Sequence, residues 1–279
     1  MGIKQTIHFV LAAVSVISLT AQADVSKFTD LPGDPEVKSA SALVLDEDGN
    51  IIYGKDVDAV RPIASITKVM TAMVILDAGL PLDEKITITK ADRDLIRLTG
   101  SRLDYGASLQ RREMLLLSLM SSENRAATAL GRTYPGGMEN FVAHMNRKAR
   151  ALGMRNTRFA DPAGLKAENV STAADLAKMA KAAEGYALIT QASTTTRMDV
   201  YPYKRRGHLT YGNTNRLLKN ASWDIELSKT GYINEAGRCL LMNANIEGEE
   251  VSIVLLNSFG KLTPFGDSNR LRKWMLANS

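Results

Sequence analysis

The 279-residue sequence contains one cysteine, Cys239, and three histidines. One cysteine excludes an internal disulfide framework. Cys239 lies in the apolar run Cys239-Leu240-Leu241-Met242, where a small buried hydrophobe is the expected role. A cysteine nucleophile needs a histidine base, and beyond His8 only His144 and His208 remain, neither in a cysteine-protease setting. His144 falls on the polar side of an amphipathic pattern and reads as solvated. Metal-ligand clusters and glycine-rich phosphate loops are missing too, so no cofactor is expected. Lysine and arginine runs interleaved with aromatics are absent, which argues against nucleic acid. After the first 23 residues no apolar run reaches 18, so no transmembrane segment is expected in the mature chain.

Those first 23 residues form a pattern of their own. Lys4 is the only charge, Ile7 to Leu19 is mostly apolar, and Ala21-Gln22-Ala23 has the small-x-small spacing of a cleavage site. The pattern predicts a secretory signal peptide over 1–23 and a mature chain over 24–279. Apolar residues make up 45% of the whole and charged residues 23%, ordinary values for a globular protein with a large core. The net charge of +5 is a mild basic bias. It suits an anionic polymer such as a cell wall, and a soluble surface explains it equally well.

In chain order, Ala40 to Asp46 and Ile51 to Asp56 read as strands around an Asp48-Gly49-Asn50 turn. Lys85 to Thr89 alternates as a short strand, and Asp92 to Gly106 is polar and reads as loop. Helical patterns follow from Leu109 to about Glu184. They include an amphipathic helix on Met138, Phe141, Val142, Met145, Ala149 and Leu152. Thr172-Ala173-Ala174-Asp175 has the form of a capping box. Leu227 to Tyr232, Arg238 to Ile246 and Glu250 to Asn257 are spaced as an antiparallel meander, and a final helix is expected from about Phe265 to Leu276. Strands at both ends with helices between them predict an α/β (α+β) fold. One mostly antiparallel sheet is flanked by helices, with an all-helical lobe over about 90–220 and a cleft where lobe meets sheet.

The stretch Ile63 to Leu76 is almost wholly apolar and long enough for three helical turns, yet it carries Lys68 three residues after Ser65. Residues at i and i+3 share a helix face. One reading makes Ser65 a helix cap with Lys68 reaching outward. The other comes from two further motifs: Ser122-Glu123-Asn124 at a break between helices, and Lys229-Thr230-Gly231 on a late strand. S-x-x-K, S-x-N and K-T-G in this order, on helix, loop and strand, match the serine penicillin-recognising set. A serine hydroxyl needs a base, and with no catalytic histidine the adjacent amine must serve. Burial lowers a lysine pKa from its usual value, and a second cation pushes the same way, a part open to Lys229. Ser122 can relay a proton. Asn124 can hold Lys68 and a substrate amide at once. Gly231 lets substrate lie close to the strand, and the N–H groups of Ser65 and Tyr232 are candidates for an oxyanion hole.

At these residues the chain resembles the low-molecular-mass penicillin-binding proteins, the D-alanyl-D-alanine peptidases of bacterial cell walls. It is most similar to their endopeptidase branch, the penicillin-binding protein 7 type. The resemblance rests on Pro62 to Lys68, Leu119 to Ala127, Tyr134 to Gly137, Asn213-Thr214-Asn215 and Lys229 to Tyr232, and runs from about Ser39 to Trp274. It implies the serine β-lactamase/transpeptidase-like fold and an acyl-enzyme on Ser65. Lys68 is then the proton acceptor and Ser122 the third catalytic residue. Substrate is bound by Asn124, Lys229, Thr230, Gly231 and Tyr232, with Lys229 on its carboxylate. The implied substrate is peptidoglycan, cut at the D-alanyl–diaminopimelate cross-link in the periplasm of a Gram-negative bacterium, and β-lactam antibiotics are implied as covalent inhibitors. The carboxypeptidase relatives carry a further β-domain and an amphipathic anchor that this sequence lacks, which favours a soluble endopeptidase or one loosely associated with membrane or cell-wall enzymes.

Three rivals share parts of this pattern. A β-lactamase needs a deacylating loop of the Glu-x-x-Leu-Asn kind, which Glu168-Asn169 does not fit. Asp161 to Leu165 and Ser171 to Ala173 resemble the peptidase instead. A non-hydrolytic penicillin-binding sensor is expected to be fused to a membrane receptor segment. A D,D-carboxypeptidase uses the same chemistry, and only the family likeness separates it.

Overall fold

A computed structural model describes residues 1–2 and 26–279. Apart from residues 1–2, the expected signal peptide lies outside the described residues. The chain opens with β1 (Ser41–Leu45) and β2 (Ile51–Lys55), then the two-residue β3 (Arg61–Pro62) and α1 (Thr67–Asp77). The short strands β4 (Lys85–Thr87) and β5 (Ser108–Gln110) precede α2 (Arg111–Met120), α3 (Asn124–Arg132) and α4 (Gly137–Ala151). After β6 (Val170–Ser171) come α5 (Ala173–Glu184), α6 (Ala187–Thr194), β7 (Arg197–Val200) and β8 (Leu209–Gly212). The chain closes with β9 (Asp224–Ile233), β10 (Gly237–Ile246), β11 (Glu249–Ser258) and α7 (Thr263–Asn278).

The main sheet is antiparallel in the order β2-β1-β11-β10-β9. The N-terminal hairpin therefore joins the C-terminal meander through β1 and β11, as the alternating runs at the two ends of the sequence imply. Alternation sends side chains to opposite faces. Leu43, Cys239, Leu241, Val254 and Leu256 face the helical block. Ala42, Val44, Leu240, Met242, Ile253 and Leu255 face α7, where Leu271 and Met275 cover them. Both faces are dry, so the central strands are apolar nearly throughout.

Two helix starts are fixed by side-chain caps, the first as expected from the sequence and the second not singled out there. Thr172 Oγ1 accepts the Asp175 N–H at 3.1 Å and caps α5, while Glu123 accepts the Ala126 N–H at 2.9 Å and caps α3. α1 packs against α2, α3, α4, α5 and α6 and is buried on all sides from Thr67 to Ile75. A helix surrounded in this way tolerates a lysine only where the amine finds partners. β4 falls on the short strand expected from Lys85, whereas its partner β5, the ribbon β7–β8 and helix α6 are not among the elements expected from the sequence. His144 is not simply solvated. Its ring lies 5.2 Å from that of Tyr134 and its Nδ1 sits 2.8 Å from the Asn140 carbonyl. It packs on α4, and the residues that surround it do not include Ser65, Lys68 or Ser122.

Candidate active site

Ser65 occupies a single helical turn, Ala64–Ile66, immediately before α1, and its side chain caps nothing. Lys68 does not reach outward either, since none of its surface is exposed. Its amine donates to Ser65 Oγ at 2.7 Å, to Asn124 Oδ1 at 2.8 Å and to the Ala163 carbonyl at 2.6 Å. Three acceptors use all the hydrogens of an ammonium. Ser65 Oγ itself points at the same carbonyl, 3.3 Å away. The helix-cap reading of Ser65 is therefore not what the structure shows.

Burial holds the Lys68 amine down to about 8, against the upward pull of Asp161 and Glu123. Lys229 on β9 is 1% exposed and is held well below the ordinary lysine range, first by burial and then by the charge of Lys68. Repulsion between two neighbouring cations is mutual, so the pair disfavours double protonation. In the structure Lys68 keeps its charge longer because two carboxylates lie near it, and Lys229 has no such support. With a pKa of about 8, about a tenth of Lys68 is neutral at pH 7. Only the neutral amine accepts a proton. Acylation by benzylpenicillin is therefore expected to rise with pH through about 7 to 9 and then level off. A stopped-flow rate that falls with pH across that window contradicts Lys68 as the base.

The other motif residues converge on the same point. Lys229 Nζ donates to Ser122 Oγ at 3.0 Å and to the Thr230 carbonyl at 2.7 Å. Thr230 Oγ1 donates to Thr214 Oγ1 at 2.7 Å, which ties β9 to the Asn213-Thr214-Asn215 segment. Ser122 is held in the left-handed region at φ 61°, a strained backbone of the kind that accumulates at functional sites. Gly231 lies hard against the backbone of Ser65: a Cβ there would come within 2.9 Å of the Ile63 carbonyl and 3.1 Å of the Ser65 nitrogen. Tyr232 is half exposed at the cleft edge. β9 is also the last strand of the sheet, so its outer edge is available to an extended peptide.

Several contributors were not singled out from the sequence. The Ala163 carbonyl is one; a backbone oxygen leaves no mark on residue identity. Its position is set by Asp161, whose carboxylate accepts the N–H groups of Ala163 and Gly164, both at 2.7 Å, and of Lys166 at 2.8 Å. Thr99 is another. Its hydroxyl accepts from Asn124 Nδ2 at 3.0 Å and donates to Asp94 at 2.8 Å. Asn124 thus holds Lys68 as expected, and one of its two amide hydrogens rests on Thr99. Glu168 is exposed, and the hydrogen bonds of Ser65 and Lys68 go elsewhere.

The cleft has two arms that share Ser65, Asn124 and Tyr232. The larger, about 390 Å³, is lined by Thr214, Arg216, Thr230, Arg238, Lys261 and Phe265. The smaller, about 240 Å³, is lined by Arg97, Thr99, Leu165 and Asn234. The arrangement is a hydrogen-bonded serine–lysine pair with an arm of the groove on either side, and one known family has a profile that covers it: a model described as D-alanyl-D-alanine carboxypeptidase, peptidase S11, matches residues 28–260. The chain belongs to that family. This S11 peptidase is 49% identical over 246 residues to a D-alanyl-D-alanine endopeptidase of Pseudomonas aeruginosa, covering 88% of this chain and 79% of the relative. It is 48% identical over 243 residues to one of Escherichia coli, covering 86% and 78%. Among solved structures it is similar to the Streptomyces K15 DD-transpeptidase, with a TM-score of 0.82 at 28% identity, covering 88% of this chain and 100% of that one. The chain is a serine-type D-Ala-D-Ala peptidase, a hydrolase with the penicillin-binding fold.

Proposed function

We propose that this S11 peptidase is a D-alanyl-D-alanine endopeptidase that hydrolyses D-alanyl–diaminopimelate cross-links of peptidoglycan through an acyl-enzyme on Ser65. The observation that carries the chemistry is the 2.7 Å bond between Lys68 Nζ and Ser65 Oγ inside a buried site. The two relatives at 49% and 48% identity, both named endopeptidases, favour the cross-link over the free stem as substrate.

Neutral Lys68 takes the Ser65 proton as Oγ attacks the D-alanyl carbonyl. The tetrahedral oxyanion is met by the N–H groups of Ser65 and Tyr232, each worth about 3–4 kcal/mol in such sites. Ser122, in contact with Lys229, passes a proton to the departing amine as the C–N bond breaks and takes in its place the proton that Lys68 removed from Ser65, which leaves Lys68 neutral again. Water then attacks the ester, its proton returns through Lys68, and Ser65 is freed. A β-lactam follows the first half of this course and stalls as the ester. The amino-terminal pattern over residues 1–23 supports export, and the periplasm is the proposed location. Among the described residues no helix is long and apolar enough to cross a membrane.

Lys229 is the proposed anchor for the substrate carboxylate. Its low proton affinity when the site is empty is raised by an arriving anion, so binding and protonation are coupled. Lys229→Ala is expected to slow acylation by carboxylate-bearing penicillin far more than by its neutral ester. Equal slowing of both, measured side by side, contradicts the anchor.

The function itself is tested with residues 24–279 and two muropeptides, a cross-linked dimer and a pentapeptide monomer, followed by mass spectrometry with Ser65→Ala as control. Splitting of the dimer into monomers is the expected result. Loss of only the terminal D-alanine from the monomer would make the chain a carboxypeptidase. Neither reaction, with penicillin still adding covalently, would make it a sensor.

A further inference from the structure

The two arms of the cleft differ in how their cations are used. In the smaller arm Arg97 is committed: it pairs with Glu235 at 2.8 Å and its Nε donates to the Leu165 carbonyl at 2.6 Å. In the larger arm Arg216, Arg238 and Lys261 line the wall, and no aspartate or glutamate does. Among the described residues none of these three has a carboxylate within 4.0 Å. Cations gathered without an acid repel one another and create a local field that favours an anion.

The two arginines are also held in place. Arg238 on β10 stands opposite Tyr232 on β9, and its guanidinium lies 3.7 Å over the Tyr232 ring. Stacking fixes the plane of the guanidinium but leaves its N–H fork free in that plane. Arg216 opens a short helical turn, Arg216–Lys219, capped by Asn215 through the Leu217 N–H at 3.0 Å. Thr214, two residues before it, is bonded to Thr230. The Arg238 guanidinium and the backbone of Arg216 are thereby tied to β9, while the Arg216 side chain is exposed and reaches from that fixed point.

We propose that Arg216 and Arg238 form a second carboxylate subsite for the leaving stem of a cross-linked peptide. The inference rests on the endopeptidase reading above. With Lys229 and Thr230 on the carboxylate beside the scissile bond, the departing group lies in the larger arm, whose lining includes Thr230. A departing D-alanine carries that one carboxylate and no other. A departing diaminopimelate amine carries one next to itself and a further one at the end of its own stem. Two arginines beyond the anchor match the second anion, and a planar fork is the geometry that takes a carboxylate with two parallel hydrogen bonds. The subsite selects the cross-linked substrate by its leaving group, with no change in the chemistry at Ser65.

The test uses two synthetic dimers in which D-alanyl is joined to the side-chain amine of diaminopimelate. They differ only at the end of the acceptor stem, a free carboxylate in one and a primary amide in the other. The readout is the ratio of kcat/KM for the two dimers within each enzyme. For the wild type this ratio is expected to be about 10 to 100 in favour of the carboxylate, the range for hydrogen bonds to a charged group, and to shrink in high salt. In the Arg216→Gln/Arg238→Gln double variant it is expected to fall to near unity. Stoichiometric labelling by benzylpenicillin reports that the variant's site is assembled. A ratio unchanged by the substitutions overturns the subsite, as does a wild-type ratio near unity while both dimers are cut. If the wild type cuts neither dimer but trims a pentapeptide, the endopeptidase reading fails and takes the subsite with it.

Discussion

Replacing Lys68 by alanine or methionine lowers the rate of acylation by benzylpenicillin about 10³-fold or more, the scale lost with a general base next to a nucleophile. The loss is of chemistry and not of fold. Lys68 has no exposed surface and burial opposes its charge, so removing the amine also removes a desolvation cost. Against that, Asn124 Oδ1 and the Ala163 carbonyl each lose a donor, a cost typical of unpaired buried acceptors. The two effects oppose each other, and Lys68→Met, which keeps most of the buried side-chain volume, is expected to unfold close to the wild-type temperature. Acylation within tenfold of wild type in a folded variant would remove Lys68 from the mechanism. Ser122 would then be the remaining candidate for the base.

Gly164→Ala is expected to cripple the site as thoroughly, from a residue with no chemistry of its own. Gly164 sits at φ +75°, and a Cβ there would lie 1.9 Å from the Ala64 carbonyl oxygen and 2.9 Å from the Ser65 nitrogen. Both neighbours are backbone, so neither can rotate away. The loop cannot retreat either, because the Asp161 carboxylate grips it through Ala163, Gly164 and Lys166, and Asn169 Nδ2 holds Asp161 at 2.6 Å. Backbone strain of this kind costs at least about 2 kcal/mol, a drop of several degrees in Tm. The displaced loop carries the Ala163 carbonyl away from Lys68, so acylation is expected to fall by at least about 10²-fold, the scale attached to misplacing a reacting group. Calorimetry and the benzylpenicillin acylation rate check the two parts separately. A stable variant with wild-type acylation would show that the Ala163–Gly164 loop does not position Lys68.

Much of the sheet was legible because its strands alternate and its turns are marked. Asp48-Gly49-Asn50 announces the first hairpin, and the pairing of β1 with β11 follows from apolar runs at both ends of the chain that only each other can bury. The candidate site was legible as three short motifs of polar side chains, which the fold brings within hydrogen-bond reach of one another. What escaped was carried by backbone or by weak pattern. The Ala163 carbonyl has no residue signature, and Thr99 and Arg97 lie in a segment read only as polar loop. β4 registered by its alternation, but β5 and the ribbon β7–β8 are too short for it to show. Which of Lys68 and Lys229 better keeps its proton depends on where Asp161 and Glu123 fall in space, and sequence spacing does not contain that.

The central claim is that Ser65 carries the acyl group. It is met most directly by incubating the protein with benzylpenicillin, measuring the intact mass, and mapping the adduct after proteolysis, with Ser65→Ala in parallel. The account expects one adduct per chain, on the peptide that contains Ser65, and none on the variant. An adduct that persists in Ser65→Ala, or one that maps to Ser122 or elsewhere, would contradict it.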